Sequence, residues 1–488
     1  MDKSIQQFLE EGTKNLNKVF EKNIEDPAKV AEMVYGVTDV VVDLGCSLIA
    51  EHWESFDELL RKRTDLRQGW VVERTGDKRC VTTSLGDVTF RRTYFKNKKT
   101  GKYSYLLDEM LELDKHERMT EDAKARILEE AVDSSYRKGG ENVSISGSIV
   151  SKEAVKDLIH PLKFPEVEPA AELKKVETLY IDADEDHVSL QFLEKKGDIP
   201  NPRMNTCMPK LAYVYEDVDA ENDRRYLVGA KYFGGCYEGG KASEEFWGEV
   251  ERYISSNYDV ESIKKIYING DGAGWIKTGA EIIPKAKFVL DRYHMGKYIV
   301  AATAHLNDSK EDIRSEIYRC INGKHRRELE ELFDYIIGVT ERESKKEAVA
   351  ASRDYILGNW KGITASVNGR KEGDCVQCSA EGHVSHVYSD RMSSRPLGWS
   401  RTGADKMSRL RIYKYNKGSM LDLVRYQKQE LSKAAGAEAE KIYTLRSIMA
   451  SEKAASREHP AIYDTRSFSI PYTNVKKIAW LKHHIWGL

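Results

Sequence analysis

Three short stretches carry side chains able to do chemistry together. "IYINGDGAGW" (residues 266–275) reads as a buried strand running into Asp271 among glycines, and "KFVLDRYHMGKY" (287–298) as a second strand that ends on Asp291 and His294. A further strand, "TLYIDADEDHV" (178–188), closes on Asp182 and Asp184. Strands that end in carboxylates place them on the rim of a sheet, where loops leave room for a ligand. Hard oxygen donors of this kind suit Mg²⁺, which keeps several waters and needs only two or three carboxylates beside substrate phosphates. A pair of such ions about 3.5–4 Å apart activates the attacking oxygen and stabilises the leaving one in an in-line displacement. Taken singly, each aspartate is more often a turn former or strand-end cap. Their joint placement is what points to a metal site.

Other chemistries compete for the same residues. Gly270, Gly272 and Gly274 allow close backbone approach beside Asp271. "GDGAGW" brings its last glycine too early for the dinucleotide fingerprint G-x-G-x-x-G. In "CVQCSAEGHVSHV", Cys375, Cys378, His383 and His386 have a C-x₂-C spacing and an i, i+3 histidine pair that suit Zn²⁺, in a spacing that matches no common finger. His294 is either a general acid/base or a packed strand-end histidine. Trp275 and Trp399 are candidates for stacking on an unpaired base, against the plainer reading of core packing.

The elements that position these residues follow from periodicity. Residues 1–65 are helical, with Ile5, Phe8, Leu9 and Leu16 near one face. Residues 66–115 switch to period two with Gly-Asp and Thr-Gly turns, a small basic β-meander. Residues 116–163 return to helices, and Ser151 is placed to cap a helix carrying Val155 and Leu158, with a helix-turn-helix as one reading and an ordinary helical pair as the other. The Pro- and Glu-rich "FPEVEPAAELKK" (164–175) is a linker. From 176 to 294 the order is antiparallel strands, helix, strand, short helix, strand, which predicts a mixed α/β sheet. Residues 295–370 are helical throughout, an insertion before the segment 371–488 that completes the core and ends in helices.

Bulk properties bound the partners. The 488 residues exceed one ordinary core, and 40% hydrophobic content without low-complexity tracts argues for folded domains. The apolar run "VTDVVVDLGCSLIA" is broken by Asp and Gly and reads as too short for a bilayer, and the acidic amphipathic start is no signal peptide, so no membrane and a cytoplasmic location are expected. Seven scattered cysteines form no disulfide framework. The net charge of −2 hides two basic segments, one around Arg91 and Arg92 and one holding Arg391, Arg395, Arg401, Arg409 and Arg411. Either run can follow a phosphate backbone or simply be a solvated surface.

Together, "YIDADEDHV", "DGAGWI", "LDRYHMGKY" and "EGHVSHV", with "GDVTFRRTYF", "LLDE", "SSYR" and "RMSSRPLGW", resemble bacterial insertion-sequence transposases of the ISLre type, relatives of the Mutator-like DDE group. The likeness covers most of the chain. It implies a ribonuclease-H-like core sheet interrupted by an all-helical insertion and preceded by an α+β DNA-binding region. It implies a catalytic set of Asp184, Asp271 and Glu381 holding Mg²⁺ or Mn²⁺, with Asp291 and His294 as an accessory Asp-x-x-His pair. Arg391, Arg395, Arg91, Arg92, Lys152 and Lys156 become candidates for contacting double-stranded DNA, both terminal inverted repeats and target, in a nucleoid-associated homo-oligomer. The chain has Asp182 where the resemblance leads one to expect Glu, and Asp182, Asp184 and Asp186 share one strand face, so pattern leaves the first carboxylate open between Asp182 and Asp184. A DNA-binding protein without a working centre and a ribonuclease-H-like nuclease are the alternatives, because fold does not fix function; a glycoside hydrolase with paired carboxylates is disfavoured by the basic segments.

Overall fold

The computed structural model describes residues 2–67, 69–191, 205–221, 224–374, 378–395 and 397–434. The chain divides into two compact units, residues 1–120 with 434–488 and residues 121–433. Cys375 of the zinc reading and the stretch 435–488 of the last predicted segment lie outside the described residues.

In the first unit, helices α1 (Asp2–Gln7), α2 (Thr13–Glu25) and α3 (Val30–Lys62) precede an antiparallel sheet of β1 (Trp70–Thr82), β2 (Asp87–Asn97) and β3 (Tyr103–Ser104), and α4 (Leu106–Met110) follows. Alternation along the β1–β2 hairpin buries Val81, Val88 and Phe90, and after a change of phase along β2 buries Thr93 and Phe95. Against them α3 sets Ile49, Trp53 and Phe56. Asp57 of α3 ties the two together by accepting from Thr93 N at 2.8 Å and Thr93 Oγ1 at 2.6 Å. One expectation is corrected here. The apolar run near residue 45 belongs to a continuous helix of 33 residues, which by length and composition is able to cross a membrane. A helix passes through Asp39, Asp43 and Gly45 without ending, since none of them removes a backbone hydrogen bond.

In the second unit, α5 (Glu121–Ala131), α6 (Tyr136–Glu141) and α7 (Lys152–Ile159) form a helical group. Ser151 caps α7, its Oγ accepting from Ala154 N at 3.2 Å. The strands are β4 (Thr178–Glu185), β5 (Val188–Ser189), β6 (Thr206–Cys207), β7 (Lys210–Tyr215), β8 (Asp217–Glu221), β9 (Arg224–Val228) and β10 (Lys231–Gly235); then come α8 (Ala242–Asn257), β11 (Lys265–Gly270), α9 (Gly274–Ile282) and β12 (Ala286–Leu290). Five strands make a mixed sheet in the order β10-β7-β4-β11-β12. The pairs β10/β7 and β7/β4 are antiparallel, while β4/β11 and β11/β12 are parallel. Strands covered on both faces read as apolar runs, which is why "TLYI", "LAYVY" and "IYI" show no alternation.

Helix α8 covers one face, setting Phe246, Trp247 and Val250 against Leu179, Ile181 and Ile268. Each such side chain contributes about 1.5–3 kcal/mol by leaving water. After β12 the chain is helical among the described residues through α10 (Arg292–Thr303), α11 (Lys310–Gly323), α12 (Arg326–Val339), α13 (Glu343–Gly358) and α14 (Trp360–Lys371). These helices enclose their own core of Ile299, Phe333, Ile356 and Val367, reached from the sheet by Leu290. Helix α15 (Ala380–Val384) follows, then a π-helical turn at Ser385–Ser389 and α16 (Asp390–Met392), α17 (Arg401–Tyr415) and α18 (Met420–Ala434).

Candidate active site

The site is built at the ends of two parallel strands. In the β4/β11 ladder Asn269 stands opposite Asp182, and the Asn269 amide donates to Asp182 Oδ1 at 2.7 Å, so these side chains share a face. Alternation then carries Asp184 and Asp271, two residues further along each strand direction, to the same face at the strand ends. Strand β11 stops because Gly272 adopts φ +93°, and Asp271 Oδ1 accepts from Ala273 N at 2.8 Å, a turn that releases the chain into α9. A Cβ at Gly272 would also lie 2.7 Å from the Asn359 side chain. Tyr355 of α13 donates to the Asp271 carbonyl at 2.5 Å, so the helical insertion grips this loop.

Asp291 begins α10 and is fixed by its own backbone, whose N–H donates to Gly270 O at 2.8 Å. Its carboxylate accepts from Tyr293 N at 3.0 Å and His294 N at 3.4 Å, and Oδ2 lies 2.8 Å from His294 Nδ1. His294 Nε2 stands 3.9 Å from Glu381 Oε2. The hydrogen bond to Asp291, helped by the charges of Asp184 and Asp271 and opposed by burial, raises the His294 pKa.

Asp271 and Glu381, both distant from Asp184 in sequence, act on it through their charges. Burial first, then the charges of Asp271 and Glu381, push the Asp184 carboxyl up to about 7, against a bond from Glu185 N and the pull of His294. The three same-face aspartates of the β4 region have different surroundings. Asp182 is fully buried and surrounded by donors, while Asp186 accepts from Ser393 Oγ at 2.7 Å. Asp184 is the one that faces Asp271 and Glu381.

Among the described residues no group of three His, Cys, Asp or Glu side chains stands in metal-holding geometry. The donor chemistry nevertheless suits a hard divalent cation: three carboxylates whose mutual repulsion is relieved by a positive charge between them. Glu381 has an exposed side chain.

Several sequence candidates take other roles. Arg391 is corrected from a DNA contact to a packing residue: it is buried, its Nε donates to Ala131 O at 3.3 Å, and its guanidinium lies 4.8 Å from the Trp399 ring centroid. Arg92 is corrected likewise, because it is ion-paired with Asp108 and its guanidinium sits 3.6 Å from the Tyr105 ring centroid. Arg91 and Arg395 are exposed. Lys152 and Lys156 are also exposed, but each stands beside an acid, Glu153 at 3.7 Å and Asp157 at 3.2 Å, so α7 presents mixed charge and no basic stripe. Trp275 donates through Nε1 to Glu185 and packs on Trp247, and Trp399 is buried, so neither is free to stack on a base.

The zinc reading loses its histidines. His383 is stacked on Tyr213 at 4.3 Å, its Nδ1 lies 3.0 Å from Tyr232 Oη, and burial pushes its pKa down to about 4. His386 points to solvent beside Asp390. Sequence reasoning passed over Ser379, Asn269, Tyr213 and Tyr355; the one available signal was the polar Asn269 inside an apolar strand, which a buried partner had to satisfy.

Comparison with known proteins places these features in a family. Residues 24–430 match the model of the Uncharacterised protein family (UPF0236). A UPF0236 protein of Caldanaerobacter subterraneus subsp. tengcongensis bearing eleven locus designations is 38% identical over 413 residues, 84% of this chain and 83% of the relative. A UPF0236 protein in the vanSb 3′ region of Streptococcus gallolyticus is 25% identical, covering 70% of this chain and 73% of that one. Among solved structures, the Drosophila P element transposase strand transfer complex aligns over 73% of this chain and 90% of that chain at 11% identity, with a TM-score of 0.21 that is too low to bear on the fold. The chain belongs to the UPF0236 family.

Proposed function

We propose that this chain is a DDE-type DNA transposase with a ribonuclease-H-like core, in which Asp184, Asp271 and Glu381 hold Mg²⁺ or Mn²⁺. The observation that carries the reading is geometric: Asp184 and Asp271 share a face at the ends of the parallel strands β4 and β11, and Glu381 of α15 stands 3.9 Å from His294, which Asp291 holds after β12. The sheet supports it: numbered along the chain its strands run 3-2-1-4-5, the first three antiparallel and the last two parallel to the first, with Asp184 on strand 1 and Asp271 just after strand 4. Glu381 follows the all-helical insertion, as in the insertion-sequence transposases that the motifs resemble. The eleven locus designations shared by one relative in a single genome fit a sequence that multiplies by copying itself elsewhere.

The bound ion would supply Lewis-acid activation of the attacking oxygen and charge relief at the leaving oxygen of an in-line displacement at phosphorus. Asp291 orients His294 through Nδ1 and leaves Nε2 toward Glu381, which sets an imidazole able to hold or pass a proton at the edge of the site. Arg91 and Arg395 supply exposed cations for phosphate. Double-stranded DNA is the substrate in this reading, with pairing of two ends calling for a homo-oligomer.

A strand-transfer assay on DNA carrying the inverted repeats that flank the gene tests the proposal. The wild type should join ends only with Mg²⁺ or Mn²⁺, and Asp271→Ala should lose joining while retaining DNA binding. Joining by Asp271→Ala refutes the site; cleavage by the wild type without joining supports the nuclease alternative, and binding without cleavage the regulatory one.

A further inference from the structure

We propose that Asp182 is a positioning residue: by gripping Ser379 it holds the start of α15, and with it Glu381, against the strand that carries Asp184. This rests on the reading of Asp184, Asp271 and Glu381 as a metal-holding set. Asp182 is fully buried in the middle of the sheet, where an unpaired carboxylate would be costly. It is met on every side. Oδ1 accepts from Asn269 Nδ2 at 2.7 Å and Tyr215 Oη at 3.2 Å, and Oδ2 from Tyr213 Oη at 2.8 Å, Ser379 N at 2.8 Å and Ser379 Oγ at 3.2 Å. Tyr213 Oη and Ser379 Oγ also lie 2.7 Å apart, closing a triangle with Oδ2.

The geometry gives that grip a purpose. Helix α15 is the first turn of a helical run that continues through Ser385–Ser389 and α16 to Met392, and Ser379 and Glu381 stand at its head, where the intrahelical bonds are incomplete and tertiary contacts set the position. The Asp182–Ser379 bonds do this at its start, and one turn on the His383 ring packs on Tyr213 and meets Tyr232 Oη. Two residues beyond Asp182 lies Asp184, and two residues beyond Ser379 lies Glu381. One buried contact therefore sets the spacing between carboxylates that are 197 positions apart, the sequence separation of Glu381 from Asp184 being that of Ser379 from Asp182. Outer partners of this kind tune metal affinity by about 10–100-fold.

Two readouts on the full-length protein test the inference. Amide hydrogen exchange of residues 379–384 should accelerate about tenfold in Ser379→Ala and in Asp182→Asn, with β7 and β11 still protected. Mn²⁺ affinity, followed by electron paramagnetic resonance, should fall about tenfold in the same variants and be abolished in Asp184→Asn. Ser379→Ala keeps the backbone bond and the Asp182 carboxylate, so it reports even if Asp182→Asn fails to fold. Unchanged exchange at 379–384 in Ser379→Ala, or faster exchange with unchanged Mn²⁺ affinity, overturns the positioning role while Asp184→Asn still abolishes binding. Unchanged Mn²⁺ affinity in Asp184→Asn overturns instead the metal reading on which it rests.

Discussion

Replacing Asp184 with Asn should make the metal-free protein more stable at pH 8 than the wild type, and less so at pH 5. The wild-type carboxyl is raised from 3.8 to about 7, and at about 1.4 kcal/mol per unit this is a cost of about 4 kcal/mol once both folded and unfolded groups are ionised. The folded chain keeps the Asp184 proton up to about pH 7, whereas the unfolded chain releases it near 3.8. Between those values the folded state holds more protons, so stability falls as pH rises, and above about 7 the loss is complete. Asp184→Asn abolishes this slope. From pH 5 to pH 8 the slope amounts to about 2.7 kcal/mol, and after screening by the solvent that reaches this half-buried group we expect a double difference of about 2 kcal/mol. Urea unfolding in EDTA at the two pH values, followed through tryptophan fluorescence from the Trp247 and Trp275 core, measures it directly. Adding Mn²⁺ should stabilise the wild type and leave the variant unmoved. A variant whose advantage is the same at pH 5 and pH 8 would refute the claim that like charges and burial meet at Asp184.

Other outcomes follow from the same geometry. Asp291→Asn should lower the His294 pKa, since the Asp291 hydrogen bond is its largest raising influence; NMR titration of the imidazole would show this, and an unchanged value would detach the pair. Gly272→Ala should destabilise the second unit by about 1–3 kcal/mol in chemical denaturation, because φ +93° is unfavourable for a side chain and the new Cβ meets Asn359 at 2.7 Å. Arg391→Gln should cost about 2 kcal/mol in the same measurement and leave the salt dependence of DNA binding unchanged, as befits a buried cation over Trp399; a smaller salt slope would return Arg391 to the phosphate-contacting set.

The sequence by itself determined the elements and the chemistry they carry. Apolar runs ending in Asp184 and Asp271, a serine placed to cap α7, period-two strands around Val88 and Phe90, and an unbroken helical stretch after His294 are local facts, set by propensity and pattern. Local pattern also told against a dinucleotide loop at Gly270–Gly274, since glycine spacing is written in the chain. It failed for the span of α3, where by pattern Asp39, Asp43 and Gly45 cut the apolar run too short for a bilayer, although the helix carries it on for 33 residues. Only the tertiary structure decided which charges are available. Arg391 and Arg92 look like Arg91 and Arg395 in sequence, and differ because the distant Ala131 and the nearby Trp399 close over the one, and Asp108 and Tyr105 over the other. The division of labour among Asp182, Asp184 and Asp186 is likewise a matter of what lies opposite them. Strand alternation gives all three the same face, but Asn269, Tyr213 and Ser379 reach only the first and Ser393 only the last, leaving Asp184 beside Asp271 and Glu381. Burial and through-space charge depend on neighbours that the order of residues does not name.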